Sequence, residues 1–128
     1  MKILYIIVLL LSGFIVKNAY GAEDWVFIVR TPTDSIDIYY DAKSIKNDSG
    51  ILSGPTSKVD IRSVYPGNHH LKEELSAMKF YCKRKSFLIL KTKNVYRNGG
   101  IENITVKSIV RPVNPNTLSE ILFNIICD

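Results

Sequence analysis

Apolar and polar positions alternate along most of the chain, and this period of two is the pattern of β-strands that bury one face. In the first segment, Trp25, Phe27 and Val29 fall on the same face. Asp41 precedes a polar stretch that can form one helical turn, with the aspartate as its N-cap. The spacing at 71–78 also fits a helix, so the fourth strand is placed from 75 onward. Strands are predicted at 24–30, 36–41, 59–62, 75–83, 86–96 and 101–110, with turns that include 47–50 and 98–100.

The last segment has a helical period instead. Leu118, Ile121, Leu122 and Ile125 recur at the spacing of one apolar stripe. Thr117 and Glu120 have the spacing of a capping box, and the helix is predicted to end at Cys127. The sequence therefore predicts an α+β fold: a small antiparallel sheet of about six strands, covered by one C-terminal helix.

The first residues have the pattern of a secretory signal peptide. Lys2 precedes an apolar stretch at residues 3–16, and the small residues Ala19 and Gly21 precede Ala22. The alternative is a transmembrane anchor, but this stretch is shorter than the about 20 residues that span a bilayer. We predict a signal peptide at 1–21 and a single domain at 22–128, exported to the periplasm or secreted, with no membrane span after cleavage. The predicted mature chain does not start with Cys, so no lipid anchor is expected.

Composition and charge are those of a folded domain, and they exclude few classes of binding partner. The 128 residues are 46% hydrophobic and 23% charged, which excludes a disordered tail, a collagen-like fibre and a coiled coil. The net charge is +5, and removal of residues 1–21 takes away Lys2 and Lys17 and leaves +3. So mild a charge does not indicate a nucleic-acid partner.

The predicted export determines how the two cysteines are interpreted. In an oxidising compartment, Cys82 and Cys127 are expected to form one disulfide. Two free thiols or a metal-binding pair are the alternatives. A metal pair fits poorly because no third and fourth ligands stand at metal-site spacing.

The usual catalytic patterns are not found in the sequence. It contains no Gly-rich phosphate loop and no Gly-x-Ser-x-Gly elbow. His69 and His70 are the two histidines, and adjacent residues in an extended segment point apart, so we expect two solvated loop histidines. The sequence predicts a protein that is not an enzyme and that has no catalytic residues, no metal and no cofactor.

A basic cluster with interleaved aromatic residues is the strongest polar feature. Alternation from Phe87 predicts that Lys91, Lys93 and Arg97 lie on one face of their strand, with Leu88, Leu90 and Tyr96 on the other. One interpretation is a solvated face whose lysines keep sheet edges from pairing with other molecules. The other is a positive surface for an acidic partner such as a glycan, an anionic lipid head group or an acidic protein segment. The candidate binding surface consists of Lys79, Lys83, Arg84, Lys85, Lys91, Lys93 and Arg97.

Several segments resemble the surface-adhesin protein E family of bacterial exported proteins. They are Trp25, Ile38-Tyr39-Tyr40-Asp41-Ala42-Lys43-Ser44-Ile45, Lys79-Phe80-Tyr81-Cys82, Tyr96 with Gly99-Gly100, Arg111-Pro112-Val113-Asn114-Pro115-Asn116-Thr117 and Cys127. The resemblance covers nearly all of residues 24–128. It implies an antiparallel sheet joined to a C-terminal helix by a disulfide, and a chain that can form a homodimer. It also implies adhesion to host extracellular-matrix proteins such as vitronectin and laminin, and haem binding.

The chain departs from this family in two ways. The family commonly has tryptophans where this chain has Val64-Tyr65 and Ile109-Val110, and its named adhesin is lipid-anchored. The family name is therefore not taken as the function, and we expect an exported, non-enzymatic binding module. One hypothesis is adhesion to matrix proteins through the basic hairpin around Lys83, Arg84, Lys85, Lys91 and Lys93. The alternative is a soluble periplasmic factor: an assembly subunit, a small-ligand carrier or an inhibitor. A third interpretation is haem binding through His69, His70 or the tyrosines.

Overall fold

The computed structural model describes residues 23–51 and 54–128, so the predicted signal peptide lies outside the described residues. The fold is α+β, an antiparallel sheet with one C-terminal helix, as predicted. Among the described residues, no helix has the length and apolar character needed to cross a membrane. The elements are β1 Trp25–Arg30, β2 Asp37–Asp41, a 3-10 helix Ala42–Ser44, β3 Lys46–Gly50, β4 Gly54–Val64, β5 Leu71–Tyr81, β6 Ser86–Tyr96, β7 Ile101–Ile104, β8 Arg111–Pro112 and α1 Leu118–Ile126.

Three long strands, β4, β5 and β6, form the centre of the sheet. The strand order is β1-β2-β4-β5-β6-β7, while β3 pairs with the first half of β4 and β8 with the start of β6. In the central pairs, Val59 lies opposite Met78, and Met78 lies opposite Ile89. Paired residues share a face, so this register decides which side chains are buried together.

One face of the sheet is covered by α1, and we call it the covered face. Phe80 is fully buried at its centre, with its ring 6.0 Å from that of Phe87 and 6.4 Å from that of Phe123. Burial of a large apolar side chain stabilises a fold by about 2–3 kcal/mol. The buried cluster contains Ile38, Val59, Ile61, Met78, Phe80, Leu122 and Ile126.

The side of α1 that packs against the sheet is not the side that the sequence predicts. Leu122 and Ile126 are buried, whereas Leu118, Ile121 and Ile125 are 36–41% exposed, so the predicted stripe is wrong except at Leu122. Almost every side of α1 carries an apolar residue, so periodicity alone does not select the buried one. The selection comes from its partners on the sheet and from the bridge at the C-terminal end.

The helix begins at a capped N-terminus. The Thr117 Oγ1 accepts a hydrogen bond from the Glu120 N–H at 3.4 Å, as predicted. The Glu120 carboxylate accepts from the Asn116 N–H at 3.3 Å, one residue earlier than the reciprocal bond of a capping box. Asp41 also caps as predicted, since its carboxylate accepts from the Lys43 N–H at the start of the 3-10 helix.

Some strand limits differ from the prediction because pairing overrides local propensity. The predicted turn at 47–50 is wrong: these polar residues belong to β3 and pair with β4. The predicted strand 101–110 ends at Ile104, and β8 pairs with β6 further along the same edge. β4 and β5 are also longer than predicted, and β5 starts at Leu71.

Two irregularities in register move side chains to faces that simple alternation does not predict. A shift between Phe27 and Val29 places Val29 opposite Ile38 on the covered face, so Val29 does not share the face of Phe27. A second shift, after Ala77, places Leu88 opposite Lys79. Each shift adds one residue to one strand and thereby inverts the alternation beyond it.

The disulfide between Cys82 and Cys127 is present, with the two Cα atoms 5.4 Å apart. Cys82 follows β5 directly, and Cys127 is the C-cap of α1. The bridge therefore joins the end of the helix to the central strand that carries Phe80.

The covered face becomes polar away from the helix. Glu74 lies between Ser63 on β4 and Asn94 on β6. Burial raises the pKa of the Glu74 carboxyl above its ordinary value. The Asn94 Oδ1 is also buried and accepts no hydrogen bond within the described residues.

Removal of the disulfide should lower stability strongly. The Cys82→Ala/Cys127→Ala variant releases a loop of 45 residues, for which chain entropy predicts a loss of about 4 kcal/mol in the free energy of unfolding. Urea denaturation monitored by circular dichroism measures this loss. The control is the wild-type protein in reductant, which should unfold at the same urea concentration as the variant. Equal urea midpoints for the oxidised and the reduced wild-type protein would contradict the prediction.

Glu74→Gln should stabilise the protein near neutral pH. Because the folded-state pKa is raised, the ionised carboxylate destabilises the fold as pH rises from the ordinary value of 4.5 through the folded pKa. The variant should therefore be more stable than wild type at pH 7, and the difference should vanish below that ordinary value. Urea midpoints at several pH values test this. Equal midpoints for the variant and the wild type at every pH would contradict the prediction.

Candidate functional site

The sheet face opposite α1, which we call the open face, carries two adjoining clefts. Leu75, Ala77 and Lys79 of β5 point to this face, because they alternate with the buried residues of the strand. The residues paired with them on the neighbouring strands point to the same face. These include Lys58 from β4 and Lys91 from β6. The two clefts share Glu23, Asp60, Ala77 and Lys91 in their linings, so they meet in the middle of this face.

The first cleft has a volume of about 380 Å³ and contains an aromatic wall. The Trp25 indole N–H donates to the Glu23 carboxylate at 3.2 Å, and the Arg62 guanidinium lies 5.8 Å from the ring centroid. Arg62 in turn forms a 2.7 Å ion pair with Glu73. These contacts hold the indole in place on the face. The other side chains pointing to this cleft from the open face include Leu75, Ala77, Lys91, Lys93 and Asn103.

The second cleft has a volume of about 420 Å³ and is dominated by lysines. The lysines that line it are Lys43, Lys46, Lys58 and Lys91. Asp41 also lines it, but this carboxylate is buried and accepts from the Asp24 and Lys43 backbone N–H groups at 2.9 and 3.0 Å. The acids left to balance the lysines are Glu23 and Asp60. The lining therefore holds four lysines against three carboxylates, a formal net charge of +1.

The structure divides the predicted basic cluster into three groups. Lys79, Lys91 and Lys93 come together on the open face, and Leu88 joins them there, contrary to prediction. Lys83, Arg84 and Lys85 lie in the turn between β5 and β6. Arg97 follows β6 at the opposite end of the sheet. The seven residues thus do not form one surface.

Sequence reasoning missed Lys43, Lys46 and Lys58, which come from segments that are distant from the hairpin in the chain. The alternation of Lys58 with Val59 does indicate that Lys58 points away from the core. However, only the pairing of β3 with β4 and of β4 with β5 brings Lys46 and Lys58 beside Lys79.

Arg97 is bound within the structure and is not directed toward a ligand. Its guanidinium donates to the backbone carbonyls of Tyr65, Pro66 and His69 at 2.7–2.9 Å. Its backbone N–H donates to the His70 carbonyl at 3.0 Å. Arg97 therefore fastens the 65–70 turn to the end of β6. This contradicts its predicted place on a face shared with Lys91 and Lys93.

The two histidines lie in an aromatic stack. Their ring centroids are 4.7 Å apart at an interplanar angle of 18°, so the expectation that they point apart is wrong. His69 also contacts Tyr65, and His70 contacts Tyr96, at ring distances of 4.9 and 5.9 Å. The segment turns here instead of continuing as a strand, which removes the alternation. The His69 Nδ1 accepts from the Leu71 N–H at 3.1 Å, so this nitrogen is occupied.

Metal ligation requires several donors at one place. Among residues 23–51 and 54–128, no group of three or more His, Cys, Asp or Glu side chains is arranged to hold a metal ion. The open face carries ammonium groups, an indole, apolar side chains and a smaller number of carboxylates, a combination that binds a ligand by charge and contact.

Arg97→Ala should loosen the 65–70 turn. Loss of three charge-assisted hydrogen bonds at an exposed site is expected to lower the free energy of unfolding by about 1–2 kcal/mol. Urea denaturation and hydrogen exchange of the 65–70 amides measure the change. Lys107→Ala, at an exposed position, is the matched control. An equal free energy of unfolding and equal amide exchange in the two variants would show that Arg97 does not stabilise the 65–70 turn.

Comparison with family models, curated proteins and solved structures finds no match to this chain. The resemblance to the surface-adhesin protein E family stays a prediction, carried by the residues given above.

Proposed function

We propose that this protein is an exported, non-catalytic binding module that holds an acidic partner on the open face of its sheet. The supporting observation is the position of Lys79, Lys91 and Lys93 on one face, where Lys91 and Lys93 line the same cleft as the fixed indole of Trp25. Charge attracts an acidic partner from a distance, and an aromatic and apolar floor supplies contact area. The partners that the resemblance suggests are host extracellular-matrix proteins.

The position of the lysines favours this interpretation over simple protection of sheet edges. Lysines that prevent edge pairing stand on edge strands. Lys79 has paired neighbours on both sides, Lys58 and Leu88, and Lys93 lies between Leu75 and Asn103. These two residues therefore lie within the sheet, where there is no edge to protect.

The disulfide supports export, because such bonds persist in oxidising compartments. The apolar residues 3–16 at the start of the chain support the same proposal. Adhesion also requires exposure at the cell surface, whereas the alternative, a soluble periplasmic factor, does not. Fractionation of the native host and protease treatment of intact cells separate the two. Cleavage on intact cells favours adhesion, and complete protection with recovery in the periplasm excludes it.

Charge reversal on the open face tests the proposed binding. Lys91→Glu/Lys93→Glu should weaken binding of the exported protein to immobilised laminin and vitronectin at least tenfold, measured by biolayer interferometry. Lys83→Glu/Lys85→Glu makes the same change of net charge in the β5–β6 turn and is the matched control. Wild-type binding should also fall as salt is raised, since the contact is electrostatic. Equal effects of the two variants, or no binding by the wild type, would refute the proposal.

A further inference from the structure

Three lysines stand directly beside one another across three strands. Lys46 on β3 is paired with Lys58 on β4, and Lys58 is paired with Lys79 on β5. Directly paired residues project from the same face with their Cβ atoms about 5 Å apart, and like charges in such pairs destabilise a sheet. The repulsion within this lysine row therefore lowers the stability of the unliganded fold and requires an explanation.

Neighbouring residues do little to neutralise the row. Within the described residues, no carboxylate oxygen lies within 4.0 Å of the amines of Lys46, Lys58 or Lys79. The Lys79 amine lies 5.3 Å from the Tyr81 ring centroid, which offsets only part of one charge. Edge protection explains Lys46 alone, because β3 pairs only with β4, while Lys58 and Lys79 lie inside the sheet.

Further cations converge on the same place. Lys43, from the 3-10 helix, and Lys91, from β6, join Lys46 and Lys58 around the second cleft of about 420 Å³. Four ammonium groups from four separate elements therefore surround a space of the size that small ligands occupy. Against them stand three lining carboxylates, Glu23, Asp41 and Asp60, of which Asp41 accepts hydrogen bonds from two backbone N–H groups.

We propose that this lysine cleft, defined by Lys43, Lys46, Lys58 and Lys91, binds a ligand that carries two or more phosphate groups. The inference rests on the proposed function and names the ligand class of the same open face. A bound polyphosphate replaces repulsion between lysines with attraction to each of them. Lysine suits such a ligand, because its ammonium group binds phosphate as a point charge. Arg62, an arginine of the same face, is already held by Glu73.

The site predicts an unusual link between ligand affinity and stability. Lys46→Gln/Lys58→Gln removes two charges from the lysine row, so it should weaken binding of inorganic tripolyphosphate at least tenfold. Without ligand, the same change should raise the melting temperature, because the repulsion is relieved. With wild-type protein, tripolyphosphate should raise the melting temperature through preferential binding to the folded state.

The experiment uses the full exported protein, isothermal titration calorimetry and thermal unfolding. Lys83→Gln/Lys85→Gln removes the same charge from the β5–β6 turn and is the matched control; it should leave the affinity for tripolyphosphate within twofold of wild type. A second arm uses vesicles of phosphatidylcholine with and without phosphatidylinositol 4,5-bisphosphate, and it separates a free polyphosphate ligand from a lipid head group with several phosphates. Equal loss in both double variants, or no binding of either probe, would overturn the proposed ligand class.

The two proposals fail in distinguishable ways. If laminin and vitronectin bind through Lys91 and Lys93 but neither phosphate probe binds, the open face is an interaction surface and the phosphate proposal is wrong. If tripolyphosphate binds through Lys46 and Lys58 while no matrix protein binds, the ligand class stands and the adhesive partner is wrong.

Discussion

The packing of α1 on Phe80 is the contact on which the rest of the molecule depends. Phe80 is fully buried between neighbouring strands and the helix, and Leu122 and Ile126 complete the cluster around it. A small sheet has little apolar surface to bury, so the loss of this layer would leave its core exposed to water. The Cys82–Cys127 bridge then joins helix and sheet covalently at the same end.

This one-sided packing also explains the chemistry of the open face. With the only described α-helix on one side of the sheet, the other side meets solvent and must carry polar residues. The charges there are nevertheless not evenly mixed. Arginines are used in ion pairs, Arg30 with Asp37 and Arg62 with Glu73, while the lysines of the second cleft have no such partners within the described residues. The lysines are therefore the groups available to a ligand.

Several features followed from the sequence because they depend on neighbours in the chain. Alternation located the central strands, the spacing of Thr117 and Glu120 located the helix start, and the cysteine pair indicated the disulfide. Features that depend on distant partners were missed. β3 has a polar sequence typical of a turn, and it is a strand only because β4 supplies its hydrogen bonds. The buried side of α1 was likewise chosen by Phe80 and Cys82, not by its own period.

The sequence by itself determined the fold class and the presence of a basic segment, because local periodicity and residue chemistry are properties of neighbouring residues. The bridge followed from the presence of two cysteines in a chain that is predicted to be exported. Only the tertiary structure decided which cations act together. Hydrogen bonds to the 65–70 turn hold Arg97 apart from the cluster, while strand register keeps Lys79 in it and adds Lys46 and Lys58 from other strands. The physical reason is that charges interact over a few ångströms of space, and strand pairing, not sequence distance, sets those separations.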